Sequence, residues 1–486
     1  MSEETTEKSG RFFIHLAIVL VLMFGIGFLP PFGAITPFGM RVLGIFIGSL
    51  VGWALGYTGW VSLLGLVILG LAGAQDATIG TVMVSAFGNI NLLVVLFGFM
   101  FCIGLGETGI VQVISNFILS RKFATKGPWM VSLAFWITSA VASGVLGMPV
   151  AGMILCWSLF YAVAEKAGMP KKSKWVAITL ITMCVTCLAG SLVKPWNVWN
   201  VMCYGMASAA QPGFQINMIA HIILYLVINV VLIALLFVVC RFFLGRDVKF
   251  QSEVTKLVDK EEVHLDARSK WGLASLILLA ALMIAPQLVP AGTAISPILS
   301  KLTMVGPFII CMVLMSFVRV EGKPVFSIED AMKDTPWQMI LLLLSALCLA
   351  NIMATPAVGI SATLVEVMSG ALGGLPVYVL MAILLVLGIL ATNLINNLVC
   401  LNVFGPIGLA LIAAAGGSVG AMAALFSIGL YLGIIFPSGS AVGAIAHGNT
   451  DWVDTKQVYL YGVLDIVIIT AVLVFIGIPL GSVLFA

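Results

Sequence analysis

A chain of 486 residues that is 61% hydrophobic and 9% charged stands far from a soluble domain, where about a quarter of residues are charged. This composition excludes a soluble enzyme and a nucleic-acid-binding protein, and a net charge of +3 names no partner by itself. The nine cysteines show neither zinc-ligand spacing nor a secreted framework; scattered through apolar runs, they read as small buried hydrophobes.

A membrane-crossing helix needs about 20 predominantly apolar residues. In chain order such runs fall near 12–29, 41–57, 58–74, 88–105, 174–210 and 216–245. They resume near 271–289, 302–318, 338–354, 420–449 and 456–482. That gives about 11 spans. The first run follows a mixed-charge N-terminus with no small-residue cleavage site, so it reads as an uncleaved span. Two more apolar stretches, 127–167 and 376–415, are too long for one crossing and are polar in the middle. They are expected to fold as re-entrant hairpins. The chain then divides into an N-terminal segment with the first span (1–40), a first repeat (41–245), a charged linker (246–270) and a second repeat (271–486).

Positive charge orients this map. With the N-terminus in the cytoplasm, every Lys and Arg except Arg41, Lys301 and the intramembrane Lys194 lies on a cytoplasmic segment. Cytoplasmic loops carry such an excess. The expected protein is a multi-pass protein of the cell membrane, with its N-terminus in the cytoplasm and its C-terminus outside.

Each half holds a hairpin followed by a broken span. In the first half the polar stretch Trp136–Gly144 is answered by Lys194-Pro195-Trp196-Asn197. In the second, Ala391–Asn397 is answered by Phe436–Ser440. The hairpins run on into Gly147-Met148-Pro149 and Gly405-Pro406, and on the charge map they open to opposite sides. Inverted repeats with paired discontinuities mark a secondary transporter with a midplane site.

The candidate site residues come from these stretches. Helix N-termini inside a membrane suit an anion, whereas unwound carbonyls and helix C-termini suit sodium. Asn396 and Asn397, at an unwound tip, can turn a carbonyl to a cation or an amide N–H to a carboxylate. Lys194 is an ionisable group at membrane depth, which is costly and marks function. Ser139, Ser143, Pro195, Asn197 and Ser440 complete the expected substrate set. Carbonyls near Thr392 and Gly439 join Asn397 as expected sodium ligands. No resident cofactor or metal is expected beyond sodium as coupling ion.

The segment Gly104–Ile110 with Val111–Leu119, and Thr335-Pro336-Trp337 entering a leucine run, resemble paired junctions of the divalent anion–sodium symporters. These are the sodium–dicarboxylate and sulfate cotransporters, within the wider ion-transporter superfamily. That family carries Ser-Asn-Thr at each hairpin tip, a fixed distance before a proline. Counting back from Pro149 gives Ser139-Ala140-Val141; from Pro406, Asn396-Asn397-Leu398. The family's Thr-Pro-Pro-Asn positions read Lys194-Pro195-Trp196-Asn197 and Ser440-Ala441-Val442-Gly443. The resemblance implies an all-α elevator transporter, a homodimer, with Asn397 as the retained sodium-coordinating asparagine. Ala140 replaces the other asparagine, and Lys194 replaces a threonine beside it.

The expectation is a sodium-coupled importer of small carboxylates, with four-carbon dicarboxylates the default. A proton-coupled carrier, an anion exchanger and a transporter of an oxyanion such as sulfate stand as alternatives. A protease site inserted in 246–270 should be cut from the cytoplasmic side without loss of transport, since exposed polar segments tolerate nicking. Cleavage by protease added outside intact cells would overturn the orientation.

Overall fold

The computed structural model describes the chain except residues 1–2, 56, 74–77, 122–125, 246–247, 249–264, 291, 354, 361, 364–365 and 367–373. The side chains of 3–11 and 54 are also excluded. Most of the expected linker at 246–270 therefore lies outside the described residues.

The apolar runs fold as helices close to their expected bounds. In the first half these are α1 (Glu3–Gly25), α2 (Pro37–Ala54), α3 (Thr58–Ala72), the short α4 (Ile79–Phe87), α5 (Ile90–Glu107) and α6 (Ile110–Leu119). A helical hairpin follows, α7 (Pro128–Leu146) and α8 (Pro149–Lys166). After it come the broken span α9 (Lys174–Ser191) and α10 (Val198–Ala210), then α11 (Met218–Val239).

The second half opens with α12 (Ala267–Leu288), α13 (Ser296–Leu302) and α14 (Gly306–Phe317). A two-stranded ribbon, Arg319–Val320 with Lys323–Pro324, leads to α15 (Ile328–Asp334) and α16 (Trp337–Met353). The second hairpin is α17 (Val377–Leu394) and α18 (Asn397–Ala414), and the second broken span is α19 (Val419–Gly429) and α20 (Ala441–Gly448). The chain closes with α21 (Thr455–Val472) and α22 (Ile478–Leu484). Among the described residues eight helices are long and apolar enough to cross a membrane, ten if each sharply bent pair is one span. The protein is an all-α, multi-pass membrane protein.

Local chemistry sets the first hairpin turn. Gly147 takes a left-handed conformation (φ 68°) at the end of α7, and Pro149 occupies the start of α8. Glycine is favoured where a helix ends left-handed, and proline fits the first turn of the next. The expected tip at Ser139-Ala140-Val141 is thereby corrected. Those residues lie inside a continuous α7, because no residue there breaks the helix. In the second hairpin the turn falls at Ile395–Asn396, where the sequence placed it.

Helix α9 is the central post, buried from Trp175 to Ser191. It runs parallel to α7 and is joined to it by hydroxyl pairs one heptad apart. Ser132 Oγ meets Thr179 Oγ1 at 2.8 Å and Ser139 Oγ meets Thr186 Oγ1 at 2.7 Å. The Trp175 indole donates to Ser132 Oγ (2.8 Å) and that of Trp136 to the Thr179 carbonyl (3.2 Å). Near its end Gly190 lets the helices touch: a Cβ there would lie 2.3 Å from the Ala140 carbonyl oxygen. In lipid, helices associate by close packing and hydrogen bonds rather than by hydrophobic drive.

Gly190→Ala tests this seam. In an open helix the change would stabilise by about 0.5–1 kcal/mol. Against the α7 backbone it should instead destabilise by about 1–3 kcal/mol through overpacking. Thermal melting in detergent should show a lower midpoint; a raised one would overturn the packing.

Candidate functional site

Each hairpin turn docks against the break of the span that follows it. In the first half the break runs from Leu192 to Asn197. Lys194 Nζ donates to the Val145 carbonyl at 3.1 Å, and Asn197 Nδ2 donates to the carbonyls of Gly147 (3.3 Å) and Ser191 (2.9 Å). Asn197 Oδ1 accepts the Trp199 N–H at 3.0 Å, capping α10. Lys194 thus sits at the C-terminal ends of α7 and α9. Helix C-termini carry partial negative charge, which accounts for an ammonium that faces no carboxylate among the described residues.

Carbonyls freed by this break are met by a network from α10 and α11. Asn200 Nδ2 donates to the carbonyls of Leu192 (2.8 Å) and Lys194 (2.7 Å). His221 Nε2 lies 2.9 Å from the Leu192 oxygen and Nδ1 2.6 Å from Tyr204 Oη. A neutral ring protonated on Nε2 donates to the carbonyl and accepts from the tyrosine, satisfying both nitrogens.

The second half repeats the device with other residues. Asn393 Oδ1 accepts two backbone N–H groups of the break, Ile434 (3.0 Å) and Ile435 (2.9 Å), while its amide donates to Ile389. Thr392 Oγ1 donates to the Leu430 carbonyl at 2.7 Å, and the Asn397 N–H to the Gly439 carbonyl at 2.8 Å. Gly433 and Gly439 permit the approach, since a Cβ on Gly433 would lie 2.7 Å from the Gly439 backbone. Ser440 Oγ donates to the Gly433 carbonyl and caps α20 by accepting from Gly443 N–H.

The two breaks face each other. Ser427 Oγ donates to Asn200 Oδ1 at 2.5 Å, Tyr225 Oη to the Ala424 carbonyl at 2.7 Å, and the rings of Trp199 and Tyr431 lie 4.3 Å apart. Alongside the first break runs a cavity of about 880 Å³ whose wall includes Ala140, Gly190, Lys194 and Trp196, with aliphatic residues of α11 and α12.

The expected site residues divide accordingly. Thr392, Asn397 and Gly439 come together, as do Lys194, Pro195 and Asn197 beside the first turn. Asn397 is buried, and its side-chain amide has no hydrogen bond to any described residue. Asn396 instead caps α18, accepting the Leu398 N–H at 2.9 Å. Ser139 is tied to Thr186 inside the α7–α9 seam, and Ser143 is fully buried against Gly152. Ala140 and Lys194 line one cavity, but Lys194 bonds at Val145, about 7–8 Å further along α7.

Sequence reasoning passed over Asn200, His221 and Asn393 as structural partners. The signal was there: polar residues inside expected spans, one or two helical turns from the breaks they serve.

This arrangement of docked hairpins and broken spans is a transporter fold. It is similar to the structure of the YdaH transporter of Alcanivorax borkumensis: TM-score 0.59, 16% identity, 89% of this chain and 97% of that one covered. It is similar also to MtrF of Neisseria gonorrhoeae, described as illuminating a class of antimetabolite efflux pumps: TM-score 0.58, 14% identity, 87% and 94% covered. At these identities the likeness is one of fold. No curated protein matches the sequence. The family model of the citrate transporters, CitMHS, matches residues 5–430. The chain belongs to the CitMHS citrate transporter family, within the wider ion-transporter superfamily.

Two asparagines of the second hairpin can be told apart by stability. Asn393→Ala leaves two N–H groups of the break unmet, one buried and one partly buried, at about 1–3 kcal/mol for the buried one. Asn396→Ala removes a single exposed cap, typically about 1 kcal/mol. Thermal melting should show the larger loss for Asn393→Ala; equal shifts would refute the role given to Asn393.

Proposed function

We propose that this transporter carries small carboxylates, tricarboxylates such as citrate or four-carbon dicarboxylates, by sodium-coupled symport with an elevator movement. The observation that carries the reading is the docking of each hairpin turn into the next break. It sets the N-termini of α8 and α10 beside Lys194 in the first half, and those of α18 and α20 beside each other in the second. Helix N-termini and a cation suit a carboxylate, and the family assignment supports the same substrate class. Asn197, Pro195, Asn396, Asn397 and Ser440 are the remaining contacts in this proposal, with Ser139 and Ser143 behind them in the α7–α9 seam.

The sodium ion belongs to the second half. The unbonded amide of Asn397 and the carbonyls near Thr392 and Gly439 offer oxygen ligands at one place. In the first half the Lys194 ammonium takes the role of a sodium ion. Two unit charges about 4 Å apart repel by about 4 kcal/mol at an effective dielectric of 20, so one cation excludes the other. The protein is proposed to work as a homodimer in the cell membrane, its N-terminus cytoplasmic and its C-terminus outside. A proton-coupled or exchanging carrier is the second reading, favoured by Lys194 as a fixed cation at the first break.

Uptake of labelled citrate and succinate into proteoliposomes, with and without an inward sodium gradient, tests the proposal. Sodium should accelerate uptake of at least one, with no more than one sodium per substrate through Asn397 by reversal potential. Asn397→Ala should abolish sodium dependence, and Lys194→Ala should weaken binding by about tenfold, roughly 1.4 kcal/mol. Uptake indifferent to sodium, or several sodium ions per substrate, would overturn the coupling scheme. Normal affinity in Lys194→Ala would remove the lysine from the site.

A further inference from the structure

One acid lies deep in the helical interior and belongs to neither break. Asp465, on α21, is 1% exposed, and both of its carboxylate oxygens are buried without a hydrogen-bond partner. Its helix packs against α9. Thr182 of α9 faces the carboxyl, and its Oγ1 is likewise buried and without a partner. The other titratable groups within electrostatic reach of it are thiols, Cys184 on α9 and Cys240 just beyond α11. On its own helix Tyr461 stands one turn earlier, near Cys240. From α20, His447 is turned away, bonded to the Ile435 carbonyl and packed on Tyr459. The segment 473–477 and α22 bring no titratable side chain. Among the described residues no Lys or Arg is set against the carboxyl.

A carboxylate in that setting, with no cation and a single threonine hydroxyl beside it, is expensive, and ionisable groups inside membrane spans are as a rule functional. Two occupants could relieve it. A sodium ion needs several oxygen ligands, and the side chains beside the carboxyl offer a single hydroxyl; the thiols in reach are soft ligands suited to other metals. A proton needs one acceptor for the O–H it creates, and Thr182 Oγ1 is an acceptor waiting for one.

We propose that Asp465 is a proton-carrying site, separate from the substrate pocket. Its carboxylate takes a proton from the aqueous phase on one side, holds it as the neutral acid bonded to Thr182, and releases it to the other side in each transport cycle. The link to the pocket is mechanical, through α9. Thr182 lies one turn before Thr186, which holds the hairpin at Ser139, and the same helix ends at the Lys194 break. The proposal rests on the chain being a transporter, but not on its substrate or on sodium.

The test uses the full chain and two readouts. Difference infrared spectroscopy across a pH titration should show a protonated carboxylic-acid band that shifts in heavy water and is absent in Asp465→Asn. That arm needs no substrate, so a wrong substrate and a wrong proton site give different results. In proteoliposomes, an imposed proton gradient should drive labelled citrate uptake in the unmodified protein. In Asp465→Asn, uptake should fall to the level without a gradient while citrate–citrate exchange persists. The asparagine mimics the neutral acid in shape; should that variant fail to fold, Asp465→Glu must retain gradient-driven uptake and move the infrared band. Absence of the band, or gradient-driven uptake unchanged in Asp465→Asn or lost in Asp465→Glu, would overturn the proposal.

Discussion

The structure depends on one constraint: a helix broken inside an apolar medium must find new partners for the backbone groups it frees. Unsatisfied groups cost several kcal/mol each where water is absent. The protein meets that demand twice, by different means. The first break exposes carbonyls, and donors come to it: Asn197, Asn200 and the His221 ring. The second exposes N–H groups as well, and an acceptor comes to them, Asn393 Oδ1. Each break could then be held only beside a neighbour carrying the right polar group, which is why the hairpin turns lie where they do.

The same constraint separates rigid from available polar groups. Ser139, Asn200 and Asn393 are used up in holding the fold. Lys194 and the side chain of Asn397 have donors or acceptors to spare. A transport site needs groups of the second kind, resting on groups of the first. The interlock of Asn200 with Ser427, and of Trp199 with Tyr431, places both sorts in one connected body.

Much of this was legible in the chain. Span bounds, both broken spans and the second hairpin turn could be read from apolar length and from glycine and proline, because these are local properties. The first turn was misplaced because counting back from Pro149 assumed that the two prolines have equal positions. In fact Pro149 begins α8, whereas Pro406 lies inside α18. Which polar residue is structural and which is free was not legible. That depends on partners far along the chain, such as the pairing of Ser427 with Asn200 or of Asn393 with Ile434. Asp465 is the converse case, an acid whose importance comes from what fails to meet it.

The hydroxyl pairs between α7 and α9 have a consequence for how this sequence can drift. Ser132–Thr179 and Ser139–Thr186 join side chain to side chain. Each hydroxyl also bonds a carbonyl of its own helix, Ser132 at Pro128, Thr179 at Trp175, Ser139 at Trp136 and Thr186 at Thr182. Losing one removes a bond across the seam, about 0.5–1.5 kcal/mol, without orphaning its partner, so these positions can change one at a time. Asn393 has no such freedom. Its partners are main-chain groups, which no substitution can withdraw, so that position has nothing to co-vary with and admits only another side chain of the same reach and polarity.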